Sequence, residues 1–301
     1  MAVIATGFFD GVHPGHRLVI ETLVSLARER GEESVVVTFW PHPRAVLQSG
    51  ADTLRYLTPM AQKTAMLRSM GVDSVETIPF TRSFASLSAR EYIRMLCRDY
   101  ACSALVLGYD TRFGREQAGP SEIAELAREM GLEAEIAPPV CIDGAPVSSS
   151  RIRAALEQGE VAYAARLLGR PYSLHGVVVA GNKLGRTIGF PTANMKLYEP
   201  LMAIPKTGVY ATSVILNEAQ RSEESTAFRG MTNIGIRPTV SDRDALTIET
   251  HILDFDEMIY GLDITVEFLD RIRDERKFAS LEQLRRQLEA DRDVSRKIQN
   301  N

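Results

Sequence analysis

A chain of 301 residues predicts about two domains of ordinary size. Its 45% hydrophobic and 25% charged residues suit a globular protein with a core in each half. A net charge of −4 and a pI near 5.8 argue against coating nucleic acid or lying on an anionic membrane surface, and no apolar run approaches the ~20 residues of a membrane span.

Three cysteines, Cys97, Cys102 and Cys141, form no Cys-x-x-Cys pair and read as reduced, partly buried thiols of a cytosolic protein. No basic segment followed by an apolar stretch opens the chain, so no signal peptide is expected. Repeats and low-complexity segments are not evident.

Val3-Ile4-Ala5 reads as a buried strand. Gly7-Phe8-Phe9-Asp10-Gly11-Val12-His13-Pro14-Gly15-His16 follows, and then Leu18, Val19, Leu23, Val24 and Leu26 at the spacing of one helix face. The order is strand, Gly-rich turn, helix. Free N–H groups at a helix start suit an anion. Gly15 has no Cβ to hold a phosphate off the backbone, and His13 and His16 can both donate to it. This predicts a nucleotide phosphate site built for nucleotidyl transfer. The same residues also suit half a metal site, with Asp10 as the only nearby third ligand, or plain surface histidines.

Ser34 to Phe39 is a second buried strand, ending in Trp40-Pro41-His42-Pro43-Arg44. That stiff turn puts His42 and Arg44 at the strand's C-terminal edge, where ligands bind in open α/β sheets; a Pro-rich surface turn is the plainer alternative. A helix is expected over 59–70, with Thr58 as N-cap and Pro59 in first position. Then come a strand over 75–79 and a helix over 88–100 with Ile93, Leu96, Cys97 and Tyr100 on one face. A strand over 104–108 runs into Tyr109-Asp110-Thr111-Arg112-Phe113-Gly114, where Asp110 suits a ribose hydroxyl or a turn cap. A helix over 121–130 and a strand over 133–137 follow. Ser148-Ser149-Ser150-Arg151-Ile152-Arg153 opens a helix running through Leu156. It makes a second anion site, or a Ser cap with solvated arginines. The alternation implies a parallel, doubly wound sheet.

After a short helix over 161–168, Gly169-Arg170-Pro171 reads as a boundary. Strands are expected over 172–180, 208–214, 230–234 and 263–269, and residues 217–226 as a mobile hairpin tip. Leu246, Ile248, Thr250 and Ile252 alternate so that Glu249 points away from the Leu246/Ile248 face. Leu281, Leu284 and Leu288 mark one face of a closing helix. These elements predict a small antiparallel β-barrel. Between the first strands, Gly181, Lys183, Gly185 and Arg186 form a Gly-rich basic loop that can wrap phosphates, leading into Phe190-Pro191-Thr192-Ala193-Asn194. The Thr192 hydroxyl and Asn194 carbonyl are hard oxygens suited to Mg²⁺, and Glu249 can serve as a base in phosphoryl transfer. A Pro-Thr turn and an exposed strand Glu are also common in proteins without such chemistry.

His13-Pro14-Gly15-His16 with Ser148 to Arg153 resembles the paired signature of the HxGH nucleotidyltransferase superfamily. With Phe9 to His13, Pro41-His42-Pro43 and Gly108-Tyr109-Asp110 added, the first half resembles the FMN adenylyltransferase module of bacterial bifunctional riboflavin kinase/FAD synthetases. Gly189 to Asn194, Asn233 to Thr239 and Glu249 to Phe255 resemble the riboflavin kinase signatures, in the family's order, so the resemblance covers nearly the whole chain. It implies a Rossmann-like adenylyltransferase domain over 1–168 and a β-barrel riboflavin kinase domain with a terminal helix over 169–301.

The resemblance also implies residue roles. His13 and His16 would stabilise adenylyl transfer. Gly7, Phe9, Gly15, Ser149, Arg151 and Arg153 would hold ATP phosphates there, and Gly181, Lys183, Gly185 and Arg186 would do so in the kinase half. His42, Pro43, Asp110 and Arg237 would line the flavin or nucleotide edge. Thr192 and Asn194 would coordinate Mg²⁺, and Glu249 would deprotonate the ribityl 5′-hydroxyl. The implied partners are riboflavin, FMN, FAD, ATP, ADP and pyrophosphate, with no nucleic acid and no membrane. The implied protein is cytoplasmic, a monomer or weak homo-oligomer.

The family often has Asn at Phe8, Asp at Trp40, Phe at Thr111 and Thr at Ser150. Trp40 and Thr111 fall on expected flavin and adenine contacts, whereas Ser150 keeps the hydroxyl. The chain also starts almost at its first strand, without the short segment many relatives carry there, which bears on an edge strand and not on the site. Three rival readings follow. The first is a riboflavin kinase with a weak or inactive adenylyltransferase half. The second, a non-catalytic flavin-binding regulator, has no need of His13, His16, Thr192, Asn194 and Glu249. The third, an HxGH tRNA-type ligase, leaves the Thr192/Asn194 barrel unexplained.

Overall fold

A computed structural model describes residues 1–47, 54–181, 184–216, 227–237 and 245–298. The chain forms two compact units, Met1–Ser149 and Ser150–Asn301.

The first unit runs β1 (Ala2–Thr6), α1 (Pro14–Arg30), β2 (Glu33–Trp40), α2 (Pro43–Leu47), α3 (Met60–Ser69), β3 (Ser74–Pro79), α4 (Arg82–Ala85), α5 (Ala89–Tyr100), β4 (Cys102–Gly108), α6 (Pro120–Glu129), β5 (Glu133–Ala137), β6 (Cys141–Ile142) and β7 (Ala145–Pro146). Five strands form a parallel sheet in the order β3-β2-β1-β4-β5. From β1 the chain moves one way to β2 and β3, then returns to the other side for β4. The switch point lies between β1 and β4, and a crevice opens there at the strands' C-terminal ends. Alternate residues of the central strands feed two cores. Ile4, Val37 and Leu105 meet Tyr92, Ile93 and Leu96 of α5. Val3, Val36 and Val106 meet Ile20 and Leu23 of α1 and Leu67 of α3. Burial on both faces is why these strands read as unbroken apolar runs. Each such side chain contributes roughly 1.5–3 kcal/mol.

Several local expectations change. Thr58 stands one residue before the cap of α3: Pro59 takes the N-cap position, and the Thr58 N–H is donated to the Asp10 carboxylate at 3.2 Å. The Pro41–Arg44 turn leads directly into α2. Cys141 is exposed, not partly buried. The short α4 and the β6–β7 hairpin had no apolar periodicity to announce them.

The second unit runs α7 (Ser149–Gln158), whose first residue marks the division, then α8 (Val161–Leu168), β8 (Tyr172–Val179), α9 (Leu184–Thr187), β9 (Ala193–Leu197), β10 (Gly208–Leu216), β11 (Phe228–Arg237), β12 (Ala245–Ile252), β13 (Asp263–Arg273) and α10 (Leu281–Lys297). Six strands close an antiparallel barrel in the order β10-β11-β12-β9-β8-β13. A row of buried hydroxyls links three of them, Thr212 to Thr232 at 3.0 Å and Thr232 to Thr250 at 2.9 Å. Residues 217–226, expected as a hairpin tip, lie outside the described residues.

The alternation in β12 holds at Ile248, Thr250 and Ile252, which are buried, so Glu249 and His251 take the opposite face. Leu246 departs from it: this residue and its register partner Ile236 are both exposed, so that end of the hairpin stands clear of the core. In α10, Leu281 is exposed, and the helix docks largely through polar groups. Arg273 forks onto the Asp291 carboxylate at 2.7–3.0 Å, and Ser295 Oγ donates to the Gly230 carbonyl at 2.8 Å. A leucine count misses such anchors. β9 and α9 are too short for periodicity to reveal.

Candidate active sites

In the first unit the turn after β1 stands at the crevice. Asp10 anchors it: the buried carboxylate accepts the Leu57 N–H at 3.0 and 3.1 Å and the Thr58 N–H, while its own carbonyl accepts Ser149 Oγ at 2.9 Å. It therefore builds the turn and does not stand as a third metal ligand. Phe9 and Val12 are buried with positive φ, 53° and 42°. Such strain costs of order 1–3 kcal/mol per residue and gathers at functional sites.

His13 is the N-cap of α1, and its Nδ1 accepts the His16 N–H at 3.3 Å. That assigns the proton of a neutral ring to Nε2. The two imidazoles stack with centroids 3.6 Å apart, and Phe9 meets His16 edge-on at 5.3 Å. Burial, with help from His13 and Lys63, holds His16 well below the usual imidazole range. His16 is thus a neutral imidazole at pH 7, and its Nδ1 is buried with no hydrogen-bond partner among the described residues. Gly15 serves this pair sterically: a Cβ there would stand 3.2 Å from His13 Cε1. At Gly7 a Cβ would meet the Phe9 ring at 3.2 Å.

A cavity of about 290 Å³ opens above the turn. It brings together Gly7, Phe9, His13, Gly15 and His16 with Pro43, Asp110 and Thr111. Asp110 is exposed at its rim. His42 packs its ring 4.2 Å from that of Phe8, which lines the cavity, and Trp40 lies 5.3 Å from Tyr56 beside them. The stacked imidazole pair, helix N–H groups and aromatic walls suit a phosphate-bearing aromatic molecule. Arg151 and Arg153 belong to the second compact unit, where Arg151 donates to the Tyr163 hydroxyl at 2.6 Å.

Sequence reasoning missed Lys63. It is buried on the inner face of α3 and donates to the Phe8 carbonyl at 2.6 Å. The available signal was its position four residues before Leu67, on the face that α3 buries.

In the second unit the register places Asn194, Glu249 and Asn233 side by side on three neighbouring strands, on the face opposite Thr250. Two cavities adjoin this row. One of about 440 Å³ has Val178, Ile259 and Tyr260 in its walls, with Arg186, Thr192 and the carboxylates Asp256 and Glu257 also in its lining. The other, of about 300 Å³, lies under α10 and holds Glu249, Asn233, His251, Gly185 and Thr192. Thr192 lines both. Gly181 packs so closely on Asn194 that a Cβ would fall 2.2 Å from its amide, and a Cβ at Gly185 would fall 2.1 Å from the Phe190 carbonyl. His251, also not foreseen as a site residue, uses Nδ1 to hold the Pro191 carbonyl at 2.8 Å and so fixes the turn before Thr192; burial keeps its pKa low. Lys183 lies outside the described residues, and Arg237 is described only as the last residue of β11. Among the described residues no group of His, Cys, Asp or Glu is arranged to hold a metal. Thr192 and Asn194 offer neutral hard oxygens at this place.

A family model described as FAD synthetase matches residues 1–151, and one described as riboflavin kinase matches residues 168–299. ATP-using enzymes of these two kinds typically need a divalent metal. The bifunctional riboflavin kinase/FMN adenylyltransferase of Listeria monocytogenes is 37% identical, covering 98% of this chain and 91% of its own. That of Escherichia coli K12 is also 37% identical, covering 98% and 92%. A crystal structure described as a macrolide-efflux protein from Streptococcus pneumoniae shares 35% identity over 98% of this chain and 94% of its own, with a TM-score of 0.90. Among the described residues no helix is long and apolar enough to cross a membrane. With two matched segments and near full-length identity, the chain belongs to the bifunctional riboflavin kinase/FMN adenylyltransferase family.

Proposed function

We propose that the barrel unit phosphorylates riboflavin to FMN and that the parallel-sheet unit adenylylates FMN to FAD. The observation that carries this reading is that each unit bears its own site. Thr192 stands between two cavities beside Glu249 in one, and the stacked His13/His16 pair sits at the sheet's switch point in the other. We set the boundary between the activities at 168/169, a placement supported by the riboflavin kinase match beginning at 168.

In the kinase half, ATP takes the larger cavity with its phosphates toward Arg186 and the Gly181–Gly185 loop, and riboflavin takes the cavity under α10. Thr192 and Asn194 would hold Mg²⁺, which when bound supplies charge neutralisation on the phosphates. Two neutral hard oxygens, with Gly181 leaving room for the Asn194 amide, fit that ion. Glu249 accepts the ribityl 5′-hydroxyl proton as that oxygen attacks the γ-phosphorus and ADP leaves.

In the adenylyl half, an FMN phosphate oxygen attacks the α-phosphorus of ATP and pyrophosphate leaves. His13 donates from Nε2 and His16 acts as a neutral imidazole, both toward the charge that develops on the phosphate oxygens. Gly7, Phe9, Gly15 and Ser149 complete the phosphate site of this unit, with His42, Pro43 and Asp110 at the flavin or nucleotide edge; Arg151 and Arg153, expected from the sequence as phosphate ligands, fall in the second unit, and Lys183 and Arg237 are assigned to the kinase half. We place the protein in the cytoplasm, a setting its free cysteines suit.

The test is chromatographic. The purified chain is incubated with riboflavin, ATP and Mg²⁺, and the flavins are separated over time. FMN first and FAD after it is the expected result. FMN without FAD rejects the adenylyl half, and fluorescence quenching without conversion rejects both.

A further inference from the structure

The turn after β1 rests on a buried cation that the reactions above leave without a task. Lys63 is 1% exposed. Its Nζ donates to the Phe8 carbonyl at 2.6 Å and to Thr38 Oγ1 at 3.1 Å, and lies 3.9 Å from the centroid of the Phe8 ring. Thr38 Oγ1 donates to the same carbonyl at 3.3 Å, and the Gly7 N–H donates to the Val37 carbonyl at 3.0 Å. The first two residues of the turn are thereby tied to both β2 and α3.

Both hydrogen bonds from Nζ go to neutral oxygens. Keeping an ammonium in such a place is costly, and an apolar side chain of similar volume would fill α3's inner face without that cost. The nearby Asp10 carboxylate offsets part of that cost, and the charge also acts on the site beside it. Phe8 lines the cavity of the first unit, with His42 against its ring at 4.2 Å and Lys63 on its face. The same ammonium reaches His16 through its field and helps keep that imidazole neutral.

We propose that Lys63 is a positioning residue for FMN adenylylation: it locks the Phe8 carbonyl and ring and sets a positive charge beneath the turn that receives the phosphates. The assignment rests on the adenylyl-transfer reading of the first unit. Burial pushes the Lys63 amine down to about 8, opposed by the Asp10 carboxylate. The titratable groups around Nζ and Phe8 are Asp10 and His13 of the turn, His16 of α1, His42 before α2 and Tyr56 before α3. By ordinary values, carboxylates and imidazoles have titrated before pH ~8 and a tyrosine has not. A loss of rate near pH 8 is then the signature of Lys63.

The experiment measures FAD formation from FMN and ATP, and FMN formation from riboflavin and ATP, in the same full-length preparation of wild type and Lys63→Met. The chain's single tryptophan, Trp40, lies in the first unit and reports that unit's unfolding by fluorescence. Lys63→Met is expected to lower kcat for FAD formation by about 10²-fold, the cost of a misplaced site, while riboflavin phosphorylation is unchanged. Wild-type FAD formation is expected to fall above pH ~8, with no such limb in the variant. A folded variant with wild-type kcat overturns the proposal, as does a wild-type profile that stays flat to pH ~9.5 while riboflavin phosphorylation over that range serves as reference. If the variant loses the Trp40 transition, the wild-type profile decides. Wild type that forms FMN but no FAD refutes the adenylyl reading itself, and that outcome is visible before any variant is made.

Discussion

Gly15→Ala perturbs the histidine pair by one methyl group. An added Cβ would stand 3.2 Å from His13 Cε1 and 3.3 Å from Nδ1, inside ordinary contact, so the ring must yield by a few tenths of an ångström. It has little freedom to do so. His13 is buried, stacks on His16 at 3.6 Å and accepts the His16 N–H. The backbone raises no objection, because Gly15 is a helical residue of α1 without a positive φ. Alanine is also the better helix former by up to ~1 kcal/mol, which offsets the steric cost. Stability should therefore change by less than about 1 kcal/mol while geometry suffers. A misplacement of about 1 Å can cost ~10²-fold in rate, so a few tenths predicts roughly a tenfold loss in kcat for FAD formation. The assay follows FMN and ATP to FAD by chromatography, with riboflavin phosphorylation in the same preparation as control. A variant that keeps its FAD-forming rate would show that His13 placement does not limit catalysis, and a loss in both activities would show a global defect.

Glu249→Gln should lower riboflavin phosphorylation by about 10²–10⁴-fold, with FAD formation from supplied FMN unchanged; equal loss in both assays would argue against its role as base. Gly181→Ala puts a Cβ 2.2 Å from the Asn194 amide. Because the end of that side chain can move, the expected effect is a higher Mg²⁺ requirement for phosphorylation and not unfolding, read by Mg²⁺ titration; an unchanged titration refutes the placement of Asn194. Burial of neutral His16 also links stability to pH. The unfolded ring takes a proton below pH ~6.5 while the folded ring resists, so stability is full above that pH and falls below it. Urea midpoints from Trp40 fluorescence at about pH 7.5 and pH 5.5 should differ more in wild type than in His16→Asn; an equal difference would remove His16 as the cause.

Much of this protein was legible in its residues because the deciding physics is local. Val3-Ile4-Ala5, the Gly-rich turn and Pro14 at the first position of α1 encode strand, turn and helix start within a few residues. The alternation around Ile248 and Thr250 assigned Glu249 to the opposite face without reference to any neighbour strand. Alternating strands and helices, then strands without helices, separated a parallel sheet from a barrel. Other features depend on residues far apart in the chain. Asp10 meets Leu57 and Thr58 only when α3 packs against the turn. Lys63 looks like a solvated helix lysine until β2 and the turn close over it. Thr192 lines two cavities, and Asn194, Glu249 and Asn233 share a row, only because β9, β12 and β11 pair in one register. Periodicity and cap chemistry determine what each segment becomes. Strand order, register and the burial of charge are settled only when distant segments exclude water together, so the tertiary structure alone decided which residues share a cavity.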